Sequence, residues 1–187
     1  MFDCHKKLYA FYDEKIRLKK KGETLREYRD TNIERVREGT KKLREKDKKD
    51  HPMFIDDCGQ GSMAMHTINQ AQHNDDHDID HALIYSEDDA PEKPEDAREF
   101  VASAIKEAGG NFTDDPEPRT NAVTVWYADG YHVDFAIYKV VEDIWGTKTY
   151  YHAGETWTKR DPRVITEWFR RENDNLSPMS GWFGVTV

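Results

Sequence analysis

The sequence predicts one domain of mixed α/β (or α+β) class, in which a small mixed β-sheet is flanked by helices. Apolar residues recur at helical spacing over 94–108 and after Pro162, but form strand-like runs over 121–127 and 131–138. Residues 128–130, Ala-Asp-Gly, separate those two runs and are a hairpin signal. The chain of 187 residues is 12% aromatic and holds five Trp, enough to build one core.

The N-terminal 50 residues predict a long charged helix. Thr24-Leu25-Arg26-Glu27 has the form of a capping box, so we expect a turn at Gly22, a helix start at Thr24 and a helix end near Lys46. Acidic residues are interleaved with the basic ones, which favours a solvated helix over a basic arm for nucleic acid. The helix is predicted to pack on the body through one thin apolar stripe, formed by Leu25, Tyr28, Val36 and Leu43.

The remaining elements follow from their boundary signals. A glycine-flanked turn spans 58–62, and a strand runs on from Asp78 to Tyr85. Pro94 begins a helix that Gly109-Gly110 ends. Thr147–Tyr151 is a further extended segment. Asp161 caps a last helix, whose predicted buried face carries Val164, Ile165, Trp168 and Phe169. A set of aromatic residues is expected to pack in the core, and base stacking is the less favoured interpretation. The set comprises Trp126, Tyr127, Tyr131, Tyr138, Trp145, Tyr150 and Tyr151.

Charge and composition exclude several classes of function. Residues 1–50 hold 17 basic and 11 acidic residues, whereas residues 51–187 hold 11 and 26, so the body is strongly acidic. Strong nucleic-acid binding is therefore not expected. No apolar run approaches 18 residues, which argues against a membrane span and a secretory leader. Two cysteines indicate a reducing, cytoplasmic location, and a zinc site from Cys4, His5, His51 and Cys58 lacks the usual paired spacing.

Three carboxylates stand out because they lie in strands, where Asp is disfavoured. Asp78 and Asp80 are two residues apart and so project from the same face of a strand. Asp134 alternates with Val133 and Phe135, which would face the core. Three such acids would repel one another unless they shared a cation, and Mg²⁺ prefers hard oxygen ligands. The pattern therefore predicts a divalent metal site.

A glycine-serine turn precedes these acids. Gly61 would let the backbone approach a phosphate closely, and the Ser62 hydroxyl could then hold its oxygens. A lone Gly-Ser pair is a weak signal, but it gains weight because Asp78 follows 16 residues later at the start of a strand. The combination predicts a site for a nucleoside triphosphate and its metal.

Three motifs resemble those of the polymerase-β-like nucleotidyltransferases: Gln60-Gly61-Ser62, Asp78-Ile79-Asp80 and Val133-Asp134-Phe135. The likeness is greatest to the bacterial relatives of cyclic GMP-AMP synthase (cGAS/DncV-like nucleotidyltransferases, or CD-NTases). It covers roughly residues 8–172, because the Leu25-Arg26 helix start and a stretch from His152-Ala153-Gly154 to Trp168-Phe169 are also similar.

The resemblance implies a specific activity. It places metal binding and catalysis on Asp78, Asp80 and Asp134, and triphosphate binding on Gly61 and Ser62, with Gln60 beside them. The cofactor would be Mg²⁺ or Mn²⁺, and the substrates nucleoside triphosphates such as ATP and GTP. The products would be cyclic or linear oligonucleotide second messengers of bacterial anti-phage signalling, with a regulatory protein as a possible partner.

The chain departs from the family pattern at its end. In that family a helical second lobe follows the catalytic lobe, whereas this sequence stops at Val187. The predicted division is an N-terminal helical segment over 1–50, a catalytic lobe over 51–175 and a truncated start of a C-terminal lobe over 176–187.

Other functions stay open at this point. A catalytically silent or partner-dependent module would also lack the second lobe. The same fold could attach nucleotides to protein or RNA. An HD-type metal phosphohydrolase could use His77-Asp78 with His66 and Asp134, but it would need them on facing helices. His66, His73, His77 and His81 are otherwise expected to be solvated or hydrogen-bonded, Asp75 a loop acid, and Asp76 a weak substitute ligand.

Overall fold

A mixed β-sheet occupies the centre of the molecule. The computed structural model describes residues 4–69 and 77–176, and over these ranges the sheet has seven strands. The strands are β1 Asp56–Gly59, β2 His77–Ser86, β3 Glu117–Pro118, β4 Val123–Trp126, β5 Tyr131–Glu142, β6 Lys148–Ala153 and β7 Trp157–Lys159.

The two central strands, β2 and β5, are parallel, and every other pairing is antiparallel. On one side β1 pairs with β2. On the other side the first half of β5 pairs with β4, which pairs with β3, and its second half pairs with β6, which pairs with β7. The predicted fold class, a mixed sheet with flanking helices, is confirmed, and so is the hairpin of 121–138.

Helices flank this sheet. They are α1 His5–Phe11, which a π-helical turn (Tyr12–Ile16) follows, α2 Lys19–Asp47, α3 Gly61–Ala64, α4 Pro94–Ala108 and α5 Val164–Leu176. The two longest, α2 and α4, pack against each other and against the sheet. Their backbones come so close that a Cβ on Gly39 of α2 would lie 1.7 Å from the carbonyl oxygen of Ala104 in α4.

The core lies between these two helices and one face of the sheet. Alternate residues of β5, Val133, Phe135 and Ile137, are fully buried, as are Leu25 and Val36 of α2. Side chains in a strand alternate between faces, so the residues between them project from the opposite face. That second face carries Asp78 and Asp80 of β2 and His132 and Asp134 of β5, and farther along the same strands it carries a small buried apolar cluster that includes Ile84 and Tyr138.

The start of the long helix differs from the prediction. α2 begins at Lys19, and Thr24 lies inside it rather than at its N-cap. Leu18 immediately precedes the helix and is buried together with Leu25. Burial of both leucines holds the intervening turn helical through Gly22, so packing overrides the capping-box signal.

The predicted buried face of the last helix is wrong for three of its four residues, and the fourth, Phe169, is partly buried. Val164, Ile165 and Trp168 of α5 are each more than half exposed, whereas Thr166 is buried. The polar side of α5 faces the body instead. The Arg170 guanidinium on that side donates to the Ala64 carbonyl oxygen at 3.1 Å.

The predicted aromatic core is only partly observed. Trp145 is 82% exposed and so takes no part in the core, in contrast to Tyr127, Tyr131 and Tyr138, which are buried. Within the two described ranges, no helix has the length and apolarity needed to cross a bilayer. Residues His73, Asp75 and Asp76, and the predicted lobe start from 177 to 187, lie outside the described residues.

Candidate active site

Parallel pairing of β2 with β5 aligns four polar side chains. The register places Asp78 beside His132 and Asp80 beside Asp134. All four residues are partly buried and belong to the face opposite the core. The two central strands thus build one patch of three carboxylates and an imidazole.

Three of these side chains lie close enough together to share one ion. Asp78, His132 and Asp134 each offer a ligand atom, and these atoms lie within 4.8 Å of one another. His132 Nε2 is 3.6 Å from Asp134 Oδ2. No other group of this kind occurs in the part of the chain that the structure describes, so the zinc alternative with Cys58 and His51 is not supported.

Asp80 lies beside this group and faces the glycine turn. A Cβ on Gly61 would be 1.9 Å from Asp80 Oδ2, so no larger residue fits unless Asp80 moves. Gly61 also has φ +65°, which glycine adopts without strain. The Gln60 amide donates to the Asp80 carbonyl oxygen at 3.0 Å and ties the turn to β2. The turn predicted to hold phosphate therefore directly adjoins the predicted metal ligand Asp80.

The electrostatics of the patch indicate uncompensated negative charge. Burial, together with the charges of Asp78 and Asp134, raises the pKa of Asp80 to about 6. His132 and Arg160 oppose the shift only in part. A divalent cation bound among these oxygens would neutralise the repulsion, so the residues present fit such an ion.

The raised pKa of Asp80 predicts a pH-dependent stability. Because the folded state holds this proton more tightly than the unfolded chain, stability falls as pH rises from about 4 to 6. Without divalent cations, Asp80→Asn should be more stable than wild type by roughly 2 kcal/mol at pH 8, allowing for partial exposure. Near pH 4 the difference should vanish. Urea unfolding of both proteins in EDTA at pH 4, 6 and 8 measures it, and an equal difference at every pH would contradict this origin.

Residues beneath the patch fix its side chains. The Thr124 hydroxyl donates to Asp134 Oδ1 at 2.5 Å. The Trp126 ring lies 4.4 Å from the His132 ring, centroid to centroid, and Arg119 covers the same tryptophan at 5.4 Å. Both supporting residues come from β4, so the β4–β5 hairpin orients two of the four polar side chains.

The turn at 60–62 is held through its glutamine. Gln60 Nε2 donates to the Tyr138 hydroxyl at 3.2 Å and to the Pro162 carbonyl oxygen at 3.0 Å. The Ser62 carbonyl oxygen accepts from the Thr67 amide at 2.8 Å. Among the described residues, the Ser62 hydroxyl has no hydrogen-bond partner, which leaves it able to meet a ligand.

Two cavities meet at Gln60 and Asp80. The smaller, about 230 Å³, opens over the carboxylates, and its wall includes Asp134, Asn121, Tyr138, His152 and Arg160. The larger, about 500 Å³, lies between α2, α3 and α5, and four arginines line it: Arg26, Arg29, Arg163 and Arg170. Asp80 and Asp134 therefore border open space large enough for a substrate.

Sequence reasoning missed two of these residues. His132 stands two residues before Asp134, so its position on the same strand face was available as a signal. Arg160 follows β7, a short strand that the sequence did not predict, and no local pattern distinguishes it from other arginines.

The HD-type phosphohydrolase does not fit this geometry. His77 and Asp78 lie on β2 and Asp134 on β5, not on facing helices. His77 and His81 are buried in the sheet, and His81 Nε2 is hydrogen-bonded to Asp57 Oδ1 at 2.8 Å.

Comparison with known proteins gives one family match. Residues 56–138 match the family model of the nucleotidyltransferase domain of cyclic GMP-AMP synthase DncV-like proteins. A search of curated protein sequences finds no significant match.

Solved structures show the same fold. The structure of Escherichia coli MS115-1 CdnC with ATP is 21% identical, with a TM-score of 0.63, and the match covers 92% of this chain and 52% of that one. Vibrio cholerae DncV with the linear intermediate 5′ pppA(3′,5′)pG is 12% identical, with a TM-score of 0.62 and coverages of 88% and 59%. The chain thus spans between half and two thirds of the length of these proteins.

The matched residues are the ones that build the patch. The family match begins with β1, includes the Gly61 turn and the whole of β2, and ends within β5 beyond Asp134. The resemblance that the three sequence motifs predicted is confirmed. Residues 56–138 of this chain are similar to the nucleotidyltransferase domain of the cyclic GMP-AMP synthase DncV-like family.

Proposed function

We propose that this chain catalyses metal-dependent nucleotide transfer, joining nucleoside triphosphates into cyclic or linear oligonucleotides. One observation carries the proposal: in a stretch that matches the DncV-like family model, three strand carboxylates cluster beside a Gly-Ser turn, and two of them, Asp80 and Asp134, line a cavity. Transfer of this type needs positioning and charge neutralisation and no nucleophilic side chain.

In this reaction a ribose hydroxyl attacks the α-phosphorus of a triphosphate. A phosphorus–oxygen bond forms as the bond to pyrophosphate breaks, and the hydroxyl proton passes to water or to a carboxylate of the site. Asp78, Asp80 and Asp134 would hold Mg²⁺ or Mn²⁺, which when bound neutralises phosphate charge and acidifies the attacking hydroxyl. Gly61 admits the triphosphate close to the backbone, and Ser62 donates its free hydroxyl to a phosphate oxygen.

ATP and GTP are the proposed substrates. The solved relatives include CdnC with ATP and DncV in a GTP-bound form, and another DncV structure holds a linear intermediate of A and G. The product would serve as a second messenger in bacterial anti-phage signalling, as the family resemblance implies.

A regulatory protein partner is also proposed. CdnC has been solved in a complex with HORMA-deltaN, and this chain aligns with 51% of that CdnC chain. A partner-dependent or silent module is the outcome to distinguish from an active enzyme.

Mass spectrometry of reaction products tests the proposal. The chain is incubated with all four ribonucleoside triphosphates and Mg²⁺ or Mn²⁺, beside an Asp78→Ala/Asp80→Ala variant. A matched control, Asp88→Ala/Glu92→Ala, removes the same charge from an exposed loop. We expect oligonucleotides from wild type and control and none from the site variant. No product from wild type would favour the silent or partner-dependent module, and equal product from all three would refute the site.

A further inference from the structure

We propose that His132 is a direct metal ligand and that the site is therefore a mixed nitrogen–oxygen site that selects Mn²⁺ over Mg²⁺. This inference rests on the proposed function, because it concerns the same metal. It adds a residue that the sequence motifs do not contain and a metal preference that three carboxylates alone would not give.

His132 lies beside both carboxylates of the proposed ion site. Its Cα is paired with that of Asp78 across β2 and β5, and its Nε2 lies 3.6 Å from Asp134 Oδ2. In an octahedral shell with bonds of about 2.1 Å, ligand atoms are about 3.0 to 4.2 Å apart. The ligand atoms of Asp78, His132 and Asp134, all within 4.8 Å of one another, need only small side-chain adjustments to reach this spacing.

His132, and not Asp80, is the third member of the group with Asp78 and Asp134. Asp80 is absent from the set of three, and its Oδ2 lies against Gly61. An ion centred on the set would thus take one carboxylate from each central strand and the imidazole between them. Asp80 would remain beside it, toward the phosphate turn, placed to reach a second ion.

Neighbouring residues orient the side chains of His132 and Asp134. The His132 side chain is only 15% exposed, and the Trp126 ring at 4.4 Å limits its rotation. The Thr124 hydroxyl fixes the neighbouring carboxylate of Asp134. Supports of this kind around metal ligands hold the ligand geometry that affinity depends on.

The metal preference follows from ligand chemistry. Mg²⁺ takes oxygen ligands almost exclusively. Mn²⁺ also suits carboxylate oxygens, but it is a first-row transition metal, the weakest-binding of a series whose members bind mixed nitrogen and oxygen sites. One imidazole in place of an oxygen therefore weakens Mg²⁺ binding relative to Mn²⁺. Replacing His132 with an oxygen ligand should reduce that preference for Mn²⁺.

Pulsed electron paramagnetic resonance of bound Mn²⁺ tests the ligand directly. Echo-envelope modulation from a coordinated imidazole ¹⁴N should appear in the wild-type chain and disappear in His132→Gln, which offers an oxygen at a similar reach. His66→Asn is the matched control, because His66 is exposed and does not belong to the group of Asp78, His132 and Asp134. Its backbone has φ 57°, which Asn tolerates. That variant should keep the modulation.

A titration of Mn²⁺ with Mg²⁺ as competitor measures the preference. The Mn²⁺ dissociation constant should rise about 10-fold or more in His132→Gln, with a change of less than about 3-fold for Mg²⁺. Bound Mn²⁺ without histidine ¹⁴N modulation in wild type, or no Mn²⁺ binding at all, overturns the inference, and neither result depends on how the variant folds.

The product assay separates the two proposals. Oligonucleotide synthesis by a chain whose Mn²⁺ shows no ¹⁴N modulation would leave the proposed function standing and remove His132 from the ligand set. Modulation without synthesis would do the opposite.

Discussion

Asp134→Asn is expected to lower the rate of nucleotide transfer at least ~10³-fold while leaving the fold intact. The substitution keeps the shape of the side chain, and the amide oxygen can still accept from the Thr124 hydroxyl. It removes one of the two carboxylates in the ion group. Loss of about 4 kcal/mol of transition-state stabilisation corresponds to that decrease, and removal of a single preorganised group at a developing charge has effects of this order.

The loss of activity is checked by initial rates of pyrophosphate release. The intact fold is checked by thermal unfolding of the same samples. The melting temperature should stay the same or rise, because the Asp134 charge is one of those that raise the pKa of Asp80. Asp129→Asn, an exposed position in the same hairpin, is the matched control and should keep its rate. A fully active Asp134→Asn would remove this residue from the proposed machinery.

Local sequence patterns predicted most elements of the fold. The alternation of large apolar residues at Val133, Phe135 and Ile137 with smaller or polar ones is visible in the chain, as is the proline that begins α4. The exceptions are elements whose position depends on distant packing. The end of α2 was predictable, but its start was not, because the helix is held there by burial of Leu18.

The candidate site was predictable in composition but not in arrangement. Spacing alone shows that Asp78 and Asp80 share a face. Which residue of β5 lies beside each depends on the register of two parallel strands that the chain separates by more than 40 residues. A shift of two residues would place Asp134 beside Asp78 and move His132 off the pair, so the imidazole enters the site only through the observed register.

The orientation of the last helix was also not predictable from local sequence. Its apolar spacing predicted a buried face, and the structure exposes Val164, Ile165 and Trp168. Periodicity shows that a helix has an apolar side and says nothing of which side the body contacts. Arg170 and Thr166 make the contact here.

Gly39→Ala is expected to destabilise the protein by about 3 kcal/mol, opposite in sign to the usual effect of this change in a helix. Alanine is normally the better helix former by up to ~1 kcal/mol. At position 39 its methyl group would lie 1.7 Å from the Ala104 carbonyl oxygen and 2.5 Å from the carbonyl carbon. These are backbone atoms of α4, which cannot rotate away, so the two helices must separate, and overpacking of this kind is destabilising.

Gly22→Ala is the matched control because it makes the same change in the same helix. There the added methyl group would have its nearest neighbours at 4.0 Å, in ordinary contact with the ends of the Leu18 and Met63 side chains. This variant should gain about 0.5–1 kcal/mol from helix propensity. Urea unfolding of the three proteins measures both effects. Opposite signs at the two positions would show that close contact between α2 and α4, not helix propensity, decides the residue at 39. A stabilised Gly39→Ala would mean that the helices pack farther apart than the structure places them.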